Sequence, residues 1–207
     1  MFFANSVQKQ PGRNGSTGFW EQYDDTDPDS TFEFLENAYN IYSEDHALYQ
    51  SAMYNVAESM GGGQTDNIAL QFAKRVVLDY TPYTFLHGDC NIFAQYLHET
   101  YGYDIEAVMF RGAGGKNLLI HMYCVDGSGA DTEYIDIRGR CDDFSLLMAE
   151  YCDWFDEDDE DVFIQRFSDM PEEFVVRKED AWRKAVAKGI DNKYGFYSKT
   201  PRRAATA

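Results

Sequence analysis

The chain has 207 residues, 44% apolar and 16% aromatic, enough to bury a sizeable core in one elaborated domain. Its 36 carboxylates against 18 lysines and arginines leave a net charge of −18, which repels phosphate and argues against direct nucleic-acid binding. No run of about 18 apolar residues occurs, so no membrane span is expected. The stretch from Met1 to Ala4 is too short for a secretory leader, and four cysteines without a small-scaffold pattern point to free thiols in a reducing, cytoplasmic setting.

Residues 1–29 combine Pro11, Gly12, Gly15 and Gly18 with a cluster of acids and read as a flexible tail, with Trp20 and Tyr23 available to pin its end. A single domain is expected over 30–190. Ser30 with Glu33 forms a capping box, in which side chains satisfy the free N–H groups of a helix start. Leu35, Ala38, Ile41 and Tyr42, then Leu48, Ala52, Met53, Val56 and Met60, recur at helical spacing. Ser43, Glu44 and Asp45 divide that run, and Gly61 to Gly63 end it. Asp66 is placed to cap a further helix whose apolar face is Ala69, Phe72, Ala73, Val76, Val77 and Tyr80, with Pro82 at its exit.

The central stretch begins at His87. Asp89 is placed as an N-cap with Cys90 in the first turn. Cys90, Phe93, Ala94, Leu97 and Tyr101 share one helical face, and Gly102 suits a left-handed stop. Three strand-like runs follow, at 105–110, 118–125 and 132–137; the last two flank Asp126-Gly-Ser-Gly-Ala-Asp131, a turn signal. If Val125 pairs with Thr132, then His121 and Asp136 fall opposite each other on one sheet face.

Beyond Arg140 the charge turns sharply negative, with ten carboxylates and no lysine or arginine from Asp142 to Asp161. Leu146, Leu147 and Tyr151 suggest a short helix there. Strands are expected at 162–167 and 174–176, a helix at 178–188 ended by Gly189, and a flexible tail over 191–207. The fold class is α+β: a helix packed on a small antiparallel sheet, with extra helices on both sides of this core.

The order Cys90, His121, Asp136 has the form of a thiol triad. A thiol is nucleophilic as thiolate, and a helix N-terminus and a nearby imidazole both favour that form. Asp136 would set the tautomer of His121, and the N–H groups at the helix start would face an oxyanion. Asp89 opposes the thiolate. The plainer alternative makes Cys90 a small buried residue, His121 a satisfied core histidine and Asp136 the partner of Arg138.

Gly-Asp-Cys-x-x-Phe-Ala opening a helix, a strand histidine, and Tyr134-Ile-Asp136 on the next strand together resemble the papain-like superfamily of cysteine hydrolases. The layout is most similar to its transglutaminase-like branch, and to small uncharacterised papain-like proteins of phages and bacteria that carry a Gly-Asp-Cys helix and an Asp-Ile-Arg-Gly strand. The resemblance covers residues 85–140. It implies a papain-like catalytic core and a hydrolase or acyl transferase acting on amide bonds: peptidase, deamidase or transglutaminase. Cys90 is then the nucleophile, His121 the base and Asp136 its orienting group, with a protein or peptide substrate, a basic one suiting the acidic chain, and no cofactor. No glutamine lies close before Cys90 to serve as oxyanion donor. Gln71 falls in a helix, which leaves His87 or Tyr83 for that role. Met122 follows His121, where many transglutaminase-like sequences carry a small residue and tryptophan.

Other chemistries fit less well. His121 and Cys124 have ligand-like spacing, but strand alternation puts them on opposite faces, and no Cys-x-x-Cys is present, so no metal site is expected. The acids from Asp153 to Asp161 lack the glycine turn of a calcium loop. The glycine-rich stretch Gly112 to Lys116 lacks a full phosphate-loop pattern and reads as a connection, or as a flap beside the site. The competing function is a non-catalytic acidic protein that imitates DNA and blocks a basic partner, built on a degenerate papain-like fold.

Overall fold

A computed structural model describes residues 17–18, 20, 46–63, 66–79, 82–154, 161–175 and 181–198. The expected capping box at Ser30 and the helical run from Leu35 to Tyr42 lie outside these residues. The described part is α+β, with helices against an antiparallel sheet. In chain order its elements are β1 (Thr17–Gly18), α1 (His46–Ser59), α2 (Asn67–Asp79), α3 (Pro82–His87), α4 (Cys90–Tyr101), β2 (Asp104–Arg111), β3 (Asn117–Asp126), β4 (Glu133–Asp136), β5 (Gly139–Cys141), α5 (Phe144–Met148), β6 (Val162–Arg166) and α6 (Ala181–Tyr194), with short 3₁₀ turns between. The sheet order is β1-β5-β4-β3-β2-β6. Among the described residues no helix is long and apolar enough to cross a membrane.

Local chemistry explains several boundaries. The Asp66 carboxylate accepts from the N–H groups of Ile68 and Ala69 at 3.0 and 3.1 Å, so α2 starts where its cap dictates. Asp143 does the same for Ser145 and Leu146 at the start of α5. Gly102 ends α4 at φ 70°, where its N–H bonds the His98 carbonyl. Along α4, Cys90, Phe93, Ala94 and Leu97 are buried as one face, against β3.

Alternation sorts β3 onto two faces. The Cys124 thiol bonds the Ala94 carbonyl of α4 at 3.2 Å, so Met122, Cys124 and the paired Ile135 look toward that helix. His121 and Tyr123 look the other way, where Tyr123, Tyr134 and Phe144 form an aromatic cluster.

Several expectations are corrected. Val125 pairs with Tyr134, not Thr132, so the β3–β4 register is two residues from the assumed one. The ladder instead closes at Asp126 and Glu133, whose carboxylates both grip buried Arg140, at 2.8 and 2.5 Å from Nη2. That cation offsets the repulsion of two like charges placed directly opposite. Asp89 makes no side-chain cap; its carboxylate lies 3.7 Å from Arg183 on α6. Phe72 is 53% exposed, not on the buried face of α2. Residues 172–174 form a 3₁₀ turn in place of a strand start.

Both tails contribute to the packed structure. Within 1–29, Thr17 and Gly18 pair with Arg140 and Gly139 as an edge strand, and the buried Trp20 ring lies 4.0 Å from the Arg138 guanidinium. Gly18 has φ 101°, and a Cβ there would sit 2.8 Å from the Arg138 carbonyl oxygen. Gly18→Ala should therefore destabilise the protein by about 1–3 kcal/mol, read as a lower urea midpoint. Within 191–207, α6 runs through Gly189 to Tyr194, and Tyr197 is buried. A mid-helix glycine costs about 1 kcal/mol, offset here by burial of Val186 and Ile190 around it. The Tyr197 hydroxyl donates to the Ile137 carbonyl at 2.7 Å, and the Tyr103 hydroxyl donates to the Tyr197 carbonyl at 2.6 Å.

Candidate functional site

His121 and Asp136 meet. The two-residue register difference preserves faces, because side chains alternate with period two, and it sets the pair on a diagonal. Long side chains reach across such diagonals. His121 Nε2 lies 3.1 Å from Asp136 Oδ2, with both residues buried. The other face of the ring is covered by Tyr151, stacked at 4.9 Å between centroids, whose hydroxyl lies 2.9 Å from His121 Nδ1.

Asp136 has a second partner, as the plainer alternative anticipated. Buried Arg138 reaches both carboxylate oxygens, with Nη2 2.6 Å from Oδ2, and its own backbone N–H donates to Oδ1 at 2.8 Å. Arg138 also donates to the Leu147 carbonyl and to Glu150. Burial alone would raise the Asp136 pKa, but the Arg138 charge and the His121 bond outweigh it and hold the carboxyl at about 2. Burial is also the largest influence on His121 and lowers its pKa, against the pull of Asp136. The ring is therefore neutral at pH 7.

Cys90 reaches the peptide next to His121 from α4. β3–β4 pairing ends at Cys124, so Met122 lies beyond the ladder. The start of α4 fills that position, and the Met122 N–H, one residue from His121, bonds the Cys90 sulfur. The N–H groups of Asn91 and Cys90 add to this. Among the described residues no hydrogen bond joins Cys90 to His121. The expected lowering of the thiol pKa is overturned: burial dominates, the Asp89 charge adds to it, and the three N–H groups only partly compensate, leaving the thiol at about 11. The resting site thus pairs a neutral thiol with a neutral imidazole.

Cys90 opens onto a cavity of about 520 Å³ bounded by the segments 87–92, 116–120 and 173–175, with Tyr151 and Arg183. The glycine-rich connection contributes Lys116 to its rim. Cavities of this size accept a side chain or a small ligand. Of the proposed oxyanion donors, His87 lines this cavity and is held by Glu150, with Nε2 2.5 Å from Oε1. Tyr83 packs on the His87 ring outside it, and Gln71 sits on exposed α2. Cys141 is buried on β5 and bonds the Asp143 carbonyl. Among the described residues no group of three or more His, Cys, Asp or Glu side chains is arranged to hold a metal ion. His121 and Cys124 do face opposite ways, as alternation required.

Reading the sequence missed Tyr151 and Glu150. Tyr151 carried only the signature of an apolar helix position, and no local pattern links it to a histidine thirty residues earlier. Arg138 had a signal: two residues from Asp136 and next to a turn, its side chain has the reach to fold back on the carboxylate. No family model, curated protein or solved structure matches the chain.

Proposed function

We propose that the protein is a cysteine-dependent hydrolase or acyl transferase acting on amide bonds, with a papain-like, transglutaminase-like core. The observation that carries this is the His121–Asp136 bond, on strands where Cys90 at the start of α4 is bonded to the very next peptide N–H. Buried, ion-paired Asp136 keeps a proton on His121 Nε2, which leaves Nδ1 as the basic nitrogen.

In this reading Cys90 Sγ adds to the acyl carbon as the thiol proton passes to His121. The developing oxyanion lies near the N–H groups of the helix start. Collapse breaks the C–N bond, and the imidazolium returns its proton to the leaving amine. The thioester is then resolved by water in a hydrolase or by a second amine in a transferase. A protein or peptide fits the cavity as substrate, a basic one suits the charge of −18, and the free thiols suit the cytoplasm. No cofactor enters this chemistry.

The test is iodoacetamide alkylation near pH 6.5, with peptide mapping of all four cysteines. Cys90 should be the fastest, and His121→Ala should slow it at least tenfold. A folded His121→Ala protein whose Cys90 reacts as fast as wild type would refute the activated thiol. A second reading rests on the raised thiol and on the occupation of both His121 nitrogens. In that reading a degenerate papain-like fold is an acidic binding protein, and Cys90→Ala leaves partner binding intact.

A further inference from the structure

We infer that Tyr151 is the proton bridge between Cys90 and His121. The inference rests on the thiol-enzyme reading and adds to it a group that the Cys-His-Asp pattern does not contain. His121 has two ring nitrogens and both are taken: Nε2 by Asp136 at 3.1 Å and Nδ1 by the Tyr151 hydroxyl at 2.9 Å. Asp136 is a carboxylate that only accepts, so a neutral His121 carries its proton on Nε2 and presents bare Nδ1 to Tyr151. The hydroxyl has a single proton and two acceptors in reach, since the Leu86 carbonyl also lies 2.9 Å away. With His121 neutral the hydroxyl donates to Nδ1. With His121 protonated, Nδ1–H donates to the hydroxyl, which turns its proton to Leu86. Both states of the imidazole are satisfied by one rotation about the C–O bond.

Tyr151 also shares a cavity with the thiol. Both residues line it, and a thiolate formed at Cys90 acts electrostatically on the Tyr151 hydroxyl. The transfer balances. The Cys90 S–H proton moves to the Tyr151 oxygen while the Tyr151 proton moves to Nδ1, leaving a thiolate, a neutral phenol and an imidazolium. The reverse passage delivers the proton to the leaving amine. Tyr151 is fixed for this role: it is 1% exposed, bonded to α3 through Leu86, and its ring contacts the rings of both His87 and His121. The groups facing His121 are Asp136 from β4, Arg138 from the β4–β5 turn, Glu150 and Tyr151 from the 3₁₀ turn after α5, and Tyr123 from its own strand. Of these, Tyr151 is the one bonded to Nδ1.

The experiment is the pH profile of Cys90 alkylation by iodoacetamide. In wild type, base assistance predicts a rise as His121 loses its proton, then a plateau extending toward the titration of the thiol near 11. Tyr151→Phe should abolish the plateau, so that the rate climbs about tenfold per pH unit toward the thiol's own titration, with at least a tenfold deficit at pH 6.5. His121→Ala should give the same profile, and the double variant should be no slower than either single one. A filler of the core would leave the shape of the profile unchanged. A Tyr151→Phe protein that keeps the plateau, or reacts faster, overturns the bridge while leaving the thiol-enzyme reading in place. A wild type with no plateau overturns both. Should Tyr151→Phe fail to fold, the imidazole ¹⁵N shifts of His121 in wild type decide: protonated Nε2 with bare, hydrogen-bonded Nδ1 supports the bridge, and a proton on Nδ1 of the neutral ring overturns it.

Discussion

Asp136→Asn should lower turnover on the order of a hundredfold or more, measured as kcat/KM once a substrate is in hand and as Cys90 alkylation until then. The carboxylate accepts on both oxygens, from His121 and Arg138 at Oδ2 and from the Arg138 backbone and side chain at Oδ1. An amide has only one oxygen. If that oxygen stays with the guanidinium, the NH₂ group faces His121 Nε2, which must then be bare, and the ring proton moves to Nδ1. In the proposed mechanism Nδ1 is the base. In a Cys90→Ala background the substitution should cause no further loss of turnover, because residues that act as one unit are not additive. An Asp136→Asn protein with near-wild-type reactivity would reduce Asp136 to a charge partner of Arg138.

Arg138→Met should be the most destabilising of the substitutions considered, by about 3–5 kcal/mol in urea titrations. It leaves a carboxylate that is 3% exposed without its cation, and removes one partner of Glu150 and the donor to the Leu147 carbonyl. The double variant Asp136→Asn with Arg138→Met should recover part of the loss, since neutralising the stranded charge removes its desolvation cost. The same pair sets an acid limit. Asp136 has a folded-state pKa of about 2 against an ordinary 3.8, so its stabilisation is fully present above the ordinary value. It is lost as pH falls from about 4 through about 2, and amounts to about 2 kcal/mol. In Arg138→Met the folded-state carboxyl pKa rises toward the ordinary value, so this acid limb should shrink, its lower end moving up while its upper end, set by the unfolded chain, stays in place. An unchanged limb would show that Arg138 does not hold the ionised form.

What could be read from the sequence was mostly what local chemistry decides. Asp66 caps α2, Gly102 stops α4, and the strand runs before and after His121 fall within one residue of the observed strands, because each depends on neighbours in the chain. The pairing of His121 with Asp136 was also readable, for a forgiving reason: a two-residue slip keeps both side chains on one face. The register itself was not readable, since the ladder ends on two like charges, Asp126 and Glu133, that are compatible only through their shared ion pair with Arg140 on the next strand. Asp89 does stand at the N-cap of α4, but its carboxylate makes no cap bond and lies instead beside Arg183, ninety-four positions away. Long-range partners likewise hid the contact of Tyr151 with His121 and the burial of Tyr197. The thiol pKa was misjudged because helix-start and imidazole effects act locally, whereas burial reflects the entire fold.

The turn that presents Asp136 and Arg138 is fastened from both directions along the chain. β1 and Trp20 hold it from one side, and Tyr197 and Ser198 bond the Ile137 carbonyl and the Arg140 guanidinium from the other. These clasps leave the ribosome at very different times. Residues 17–20 emerge long before the hairpin they flank exists, and must wait for it; residues 197–198 emerge after every other described element has been made. Domains fold as units during synthesis, so the turn that sets Asp136 against His121 of β3 lacks its last clasp while residues 197–198 are still inside the exit tunnel. A nascent chain therefore carries Cys90 outside the ribosome before the turn beside Asp136 has its last clasp, and in the proposed chemistry the thiol gains its full setting only once residues 197–198 have left the tunnel.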